Sequence, residues 1–308
     1  MQHKGAPIVK WIERRFPKPL IRVRFSVGVQ FERIIINCKS YTLMLGAIIG
    51  DIAGSRFEFD EPPRKGFKFF SPDCGYTDDT VCTVAIADAI INGKSYKESL
   101  LKWCRKYPTP KGGYGNRFNQ WIHSDNPQPN DSCGNGAAMR ASAVGWLFDD
   151  YHTILEEAKK SAEISHNNPE GIKGAQCIAA LIYWLRTCRI GKEDVEKSVM
   201  KAFEYEIPPL DVINTIGASG HFDAICQETV PWAIRCFLEA DNFEDTIRLA
   251  IMADGDTDTK ANIAGAIAEA YYDIPDNITD AALEYLPKDM LGIISDVCSI
   301  IKEKINKD

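Results

Sequence analysis

No stretch of the 308 residues approaches the ~18 consecutive apolar residues of a membrane-spanning helix, which excludes a bundle of such helices. The ten cysteines include no Cys-x-x-Cys pair, and no secretory signal precedes them, so a reduced, cytosolic protein is expected rather than a disulfide-stapled or zinc-stapled one. Histidine is scarce at five, and none of the five stands beside the acidic clusters described below, which argues against zinc. Heptads, low-complexity tracts and repeats of fixed period are absent too, so neither a coiled coil nor a solenoid is expected.

The charge is uneven. Residues 1–43 carry nine Lys/Arg against Glu13 and Glu32, leaving 27 Lys/Arg against 41 Asp/Glu in the rest, a net of −14. So acidic a body repels a polynucleotide backbone, and no nucleic-acid partner is expected. Within 1–43, Ile21, Val23, Phe25, Val27, Val29 and Phe31 alternate with polar residues as in a strand, and no second strand pattern follows to pair with it. We read 1–43 as a basic, weakly ordered or peripheral arm and 44–308 as the functional domain.

From Met44 onward apolar residues recur at helical spacing, and the pattern predicts helices at 79–92, 95–106, 135–148, 151–165, 170–188, 192–205, 223–239, 242–253, 257–272 and 288–303. The expected fold is all-α, a compact multi-helix bundle with long polar loops such as TPKGGYGN and SDNPQPNDSCGNG between apolar elements. TVAIADAI and ANIAGAIAEA are apolar nearly all round and should lie at the centre.

The chemistry concentrates at two helix starts. YTDDT places Asp78 and Asp79 beside Thr77, where one side-chain oxygen would suffice as a cap, and GDTDT repeats the grammar with Asp256, Asp258 and Thr259. Small residues in both following helices would let their backbones approach and bring the two acidic mouths together. Four carboxylates in one small volume stay ionised only if cations neutralise them, and hard divalent ions suit carboxylate and hydroxyl oxygens. Taken singly, each cluster reads better as a cap complementing its helix dipole, and it is the pair, each opening an apolar small-residue helix, that shifts the balance toward metal binding.

GDIAGSRFEF, YTDDT, GNGAAMR, SHNNPEG and GDTDT, in this order, resemble the ADP-ribosylglycohydrolase family over roughly Met44 to the end. The resemblance implies an orthogonal all-α bundle around two Mg²⁺ or Mn²⁺ ions held by Thr77, Asp78, Asp79, Asp256, Asp258 and Thr259. It also implies hydrolysis of an ADP-ribosyl bond on a protein or small-molecule acceptor, with Asp78 and Asp258 catalytic. Glu58, between Phe57 and Phe59, falls where the family has a mobile glutamate, and we read it as a partly desolvated proton carrier. The resemblance makes Ser132, Gly134, Asn135, Gly136 and Ala137 a diphosphate cradle and puts His166 beside the adenosine end; Gln227 matches a pocket position of one subgroup.

Departures from the family pattern are Asp254 where it has glycine, Lys260 where it has an aliphatic residue, Cys133 where it often has an aromatic, and Asn168 where many relatives have histidine. Lys260 turned outward or paired would spare the site, and turned inward it would compete with a cation. Two other readings stay open: a catalytically silent ADP-ribose binder, as family-related lens crystallins illustrate, and a dinuclear nucleotide phosphohydrolase. A monomer is expected.

Overall fold

The computed structural model describes residues 44–59, 63 and 65–305, so the strand read at 21–31 and the rest of the arm lie outside the described residues. Among the described residues there are fourteen α-helices and no strand. In chain order they are α1 (Leu45–Gly54), α2 (Asp78–Ile91), α3 (Tyr96–Lys106), α4 (Asn116–His123), α5 (Ser142–Leu147), α6 (Tyr151–Glu163), α7 (Pro169–Arg186), α8 (Val195–Phe203), α9 (Leu210–Gly217), α10 (Cys226–Glu239), α11 (Phe243–Met252), α12 (Thr257–Glu269), α13 (Asp276–Leu283) and α14 (Lys288–Ile305).

The all-α expectation holds, with two kinds of difference. The helix predicted at 135–148 is broken into a 3₁₀ turn at Asn135–Ala137 and the short α5, with the fully buried Arg140 in the turn between them. The pattern also passed over α1, α4, α9 and α13, three of them eight-residue helices set in polar loops, and the fourth rich in glycine.

That glycine-rich helix organises the centre. Gly46, Gly50 and Gly54 recur every fourth residue and form one flat face of α1. A Cβ on Gly50 would stand 2.0 Å from the carbonyl oxygen of Ala261, and one on Gly46 2.2 Å from that of Gly265, so α1 and α12 touch backbone to backbone. The sequence reading expected α2 and α12 to approach each other directly. Instead α1 packs along α12 and reaches α2 through Asp51, whose Oδ2 accepts from the backbone N–H groups of Thr77 (3.0 Å) and Thr80 (3.1 Å) and from the Thr80 hydroxyl. One helix thus fixes the starts of both acidic helices, and an apolar core wraps all three.

α1 has no side-chain cap of its own; Met44 at its entrance is left-handed, with φ 72°. The far end of α12 substitutes: Glu269 accepts from Leu45 N (3.1 Å) and Gly46 N (2.9 Å), satisfying donors that a helix start leaves orphaned.

Candidate active site

Thr77 caps α2 by accepting from Asp79 N at 3.2 Å, which puts Asp78 and Asp79 in the first turn, where the helix dipole favours negative charge. Asp256 precedes α12, and Asp258 and Thr259 lie in its first turn. The two starts, 180 residues apart in sequence, meet where the Thr259 hydroxyl donates to Asp79 Oδ1 at 3.4 Å. Glu58, on the loop leaving α1, joins from the third side: one oxygen each of Glu58, Asp256 and Asp258 lies within 4.8 Å of the others.

Asp79, Asp256 and Asp258 are buried, yet Asp79 Oδ2, Asp256 Oδ1 and Asp258 Oδ1 have no hydrogen-bond partner among the described residues. Burial pushes Asp78, Asp79, Asp256 and Asp258 well above the ordinary carboxylate range, and acids around them add to it, above all Asp258 for Asp79 and Asp256, and Glu58 for Asp258. Burial likewise raises Glu58 to about 8, helped by Asp256 and Asp51 and opposed by Lys111. Unsatisfied, mutually repelling, all-oxygen donors are what a hard divalent cation needs, so the residues present fit such an ion.

The flanking aromatics do not desolvate Glu58 in the way the sequence suggested. Phe57 packs inward on Phe67, while Phe59 is 71% exposed and stacks on Phe222 at 6.0 Å. The neighbouring acids and the loop at Gly112 enclose the carboxylate instead.

A cavity of about 460 Å³, within the range of small-molecule sites, runs from these acids toward His166. Of the residues singled out in the sequence, Glu58, Asp78, Asp79, Asp256, Asp258, Thr259, Ser132, Gly134, Asn135, Gly136 and His166 line it. Thr77 and Ala137 are buried behind the wall, and Gln227 is exposed on the first turn of α10, outside the cavity. The Gly-Asn-Gly turn is fastened to the acidic end: Asn135 Nδ2 donates to Asp256 Oδ2 at 2.7 Å, and Asn135 N donates to Ala224 O at 3.1 Å. Gly134 N is used as well, by Ser132 Oγ at 3.1 Å, so two of the turn's N–H groups bond within the protein. The glycines also make room for the histidine, since a Cβ at Gly136 would lie 3.2 Å from His166 Nε2. Asn168 is the cap of α7, accepting from Glu170 N at 3.0 Å.

Lys260 is completely buried and neither turns outward nor reaches the acids. Its Nζ pairs with the equally buried Asp223 at 2.9 Å and donates to the backbone carbonyl of Asp254. Asp223 Oδ1 also accepts from Asp256 N at 3.0 Å, so the pair holds the GDTDT entrance. Asp254 takes φ 58°, a conformation that aspartate tolerates better than most residues. The sequence reading missed three functional candidates: Asp51, Asp223 and Arg140. Asp51 sits in the quoted GDIAG and Arg140 in GNGAAMR, so a buried charge inside an apolar stretch was the available signal; Asp223, in a polar loop, offered none.

The chain matches the family model described as ADP-ribosylglycohydrolase over residues 39–304. It is 27% identical to ADP-ribosylhydrolase ARH3 of Xenopus tropicalis over 74% of this chain and 85% of that protein. It is 25% identical to ADP-ribosylarginine hydrolase Tri1 of Pseudomonas putida strain GB-1 over 75% of this chain and 70% of that one. A solved structure titled ADP-ribosylglycohydrolase-related protein complex superposes with a TM-score of 0.63 at 21% identity, covering 87% of this chain and 97% of that chain, a likeness of fold.

Proposed function

The chain belongs to the ADP-ribosylglycohydrolase family, and from that premise we propose that it releases ADP-ribose from an ADP-ribosylated protein side chain or small compound by hydrolysing the glycosidic bond at the anomeric carbon. One observation carries the reading: two acidic helix starts converge, with unpartnered buried carboxylate oxygens, at one end of a cavity of ligand size. Thr77, Asp78, Asp79, Asp256, Asp258 and Thr259 would hold two divalent cations, Mg²⁺ or Mn²⁺. When bound, these supply Lewis acidity and a template for the ribose diol.

The protein's own groups then divide the work. Glu58, whose carboxyl burial raises above its ordinary range, gives its proton to the leaving nitrogen or oxygen as the glycosidic bond breaks. Water oxygen bonds to the anomeric carbon, and a water proton restores the Glu58 carboxyl. Asp78 and Asp258 face the same volume and orient that water as hydrogen-bond acceptors. Ser132, Gly134, Asn135, Gly136, Ala137 and His166 form the end that receives the diphosphate and adenosine; Gln227 has no part. We take 44–308 as the functional unit, acting as a monomer in the cytosol, a compartment consistent with the nine cysteines among the described residues forming no disulfide. Among those residues no helix is long and apolar enough to cross a membrane.

The silent-binder alternative drew on Lys260 and Cys133, and the charge of Lys260 is taken up by Asp223. Peptides carrying ADP-ribosyl-arginine or ADP-ribosyl-serine, incubated with Mg²⁺ or Mn²⁺ and then with chelator, test the proposal. Free ADP-ribose that appears only with metal is expected. Release of AMP or phosphate instead would mark a phosphohydrolase, and no product from either acceptor would overturn the reading.

A further inference from the structure

Arg140 is fully buried and forms no ion pair among the described residues. Its Nη2 donates to Ser161 O (2.8 Å), Ala162 O (3.3 Å) and Ser165 Oγ (2.8 Å). Ser165 Oγ in turn lies 2.8 Å from His166 Nδ1. The direction of each bond follows from donor chemistry. A guanidinium has only donors, so the serine oxygen accepts from it, and the serine proton is left for Nδ1. The opposite arrangement, with Nδ1–H donating to Ser165, would strand that hydroxyl proton in a residue 1% exposed, at the cost of an unsatisfied buried donor. An imidazolium is disfavoured too, because burial and the neighbouring Arg140 charge push His166 down to about 3.

The backbone around the ring is equally constrained. Trp121 Nε1 donates to Ile164 O (3.0 Å), Asn130 N to Ser165 O (3.4 Å) and Asp131 N to Asn167 Oδ1 (2.7 Å). Nε2 is left against Gly134 and Gly136 on the cavity wall.

We propose that Arg140 and Ser165 are positioning residues that lock His166 as its neutral Nε2–H tautomer, giving this end of the cavity a fixed donor that selects an acceptor oxygen of the ligand. Resting on the ADP-ribose reading, the acceptor is a phosphoryl or ribose oxygen; a ligand group that can only donate is rejected there. The lock acts on binding, because His166 lines the cavity and is neither a proposed cation ligand nor the proposed proton carrier.

Two arms test it. Long-range ¹H–¹⁵N spectra of the ligand-free, ¹⁵N-labelled protein, with His166 assigned by its absence in His166→Gln, should show a protonated Nε2 and a bare Nδ1 at neutral pH, and Ser165→Ala should lose that signature. In the second arm, Ser165→Ala should weaken ADP-ribose binding about tenfold, the value of one hydrogen bond, with kcat changed far less. His166→Gln, whose amide nitrogen can stand near the Nε2 position, should keep more affinity than His166→Asn, whose nitrogen stands near Nδ1, and this pair decides the matter if Ser165→Ala does not fold. A protonated Nδ1 in the parent protein, equal binding by the two amide variants, or unchanged affinity in folded Ser165→Ala would overturn the proposal. If the parent binds no ADP-ribose, the ligand reading fails while the spectra still decide the tautomer.

Discussion

Lys260 has no exposed surface, and its charge is met by one carboxylate and one carbonyl at the entrance to α12. A pair so buried contributes little over an apolar replacement, yet removing one partner strands the other's charge. Lys260→Met should therefore destabilise the protein by about 3 kcal/mol, and Asp223→Asn by a similar amount. Combined, the two should cost clearly less than their sum, because the orphaned charge is gone. Urea unfolding of the four proteins checks this, and strict additivity would show that the pair is not coupled. The lysine's presence near the acids was legible in GDTDTK. Its partner was not, because Asp223 sits far upstream in a loop whose folding back onto the GDTDT entrance carries no local pattern.

Close backbone contact makes the α1–α12 interface intolerant of a single methyl group. A Cβ at Gly50 would meet the Ala261 carbonyl, which is backbone and cannot rotate away. Gly50→Ala is expected to cost more than about 3 kcal/mol or prevent folding, and any folded fraction should bind metal poorly, since Asp51 moves with α1. Gly292, exposed in the middle of α14 with nothing within 4 Å of a built Cβ, is the control: Gly292→Ala should stabilise by about 0.5–1 kcal/mol in thermal unfolding. The same interface carries a pH signal. Burial pushes Glu269 up from 4.5 to about 8 against the pull of the N–H groups it caps. The folded form then binds its proton more tightly than the unfolded chain, so the contribution to stability is full below about pH 4.5 and is lost as pH rises toward 8, by at most ~1.4 kcal/mol per pH unit. Glu269→Gln should flatten that part of the parent's pH–stability curve; parallel curves would refute the assignment. At this scale the sequence was most readable where apolar spacing ran long and unbroken, as in α2, α7 and α12. It was least readable in α1, where regularly spaced glycines that weaken a helix in isolation are selected by a neighbour far along the chain.

In the whole molecule the acidic centre is where distant parts of the chain are forced together, and it opposes folding until its charge is answered. Carboxylates from α2, α12 and the loop after α1 are raised by burial and mutual repulsion, so each is a source of strain without a cation and, on the proposed reading, a ligand with one. Binding to the folded state alone stabilises it by RT ln(1 + [L]/Kd), about 2.7 kcal/mol at a hundredfold excess over Kd, or roughly 5 °C or more in Tm for a domain of this size. Mg²⁺ or Mn²⁺ should raise Tm accordingly, and chelator should reverse the rise. Asp78→Asn and Asp258→Asn separate this account from capping, the reading that each cluster supports on its own. If the acids exist to hold cations, each amide relieves repulsion and should make the chelated protein more stable than the parent by about 1 kcal/mol, while abolishing both the metal-induced rise and ADP-ribose release. If they exist to cap their helices, both variants should lose about 1 kcal/mol in chelator, and metal should stabilise parent and variants alike. The two accounts predict opposite signs for the same melting experiment, and the unpartnered oxygens of Asp79, Asp256 and Asp258 favour the first, because a cap uses its oxygens on the backbone and these do not.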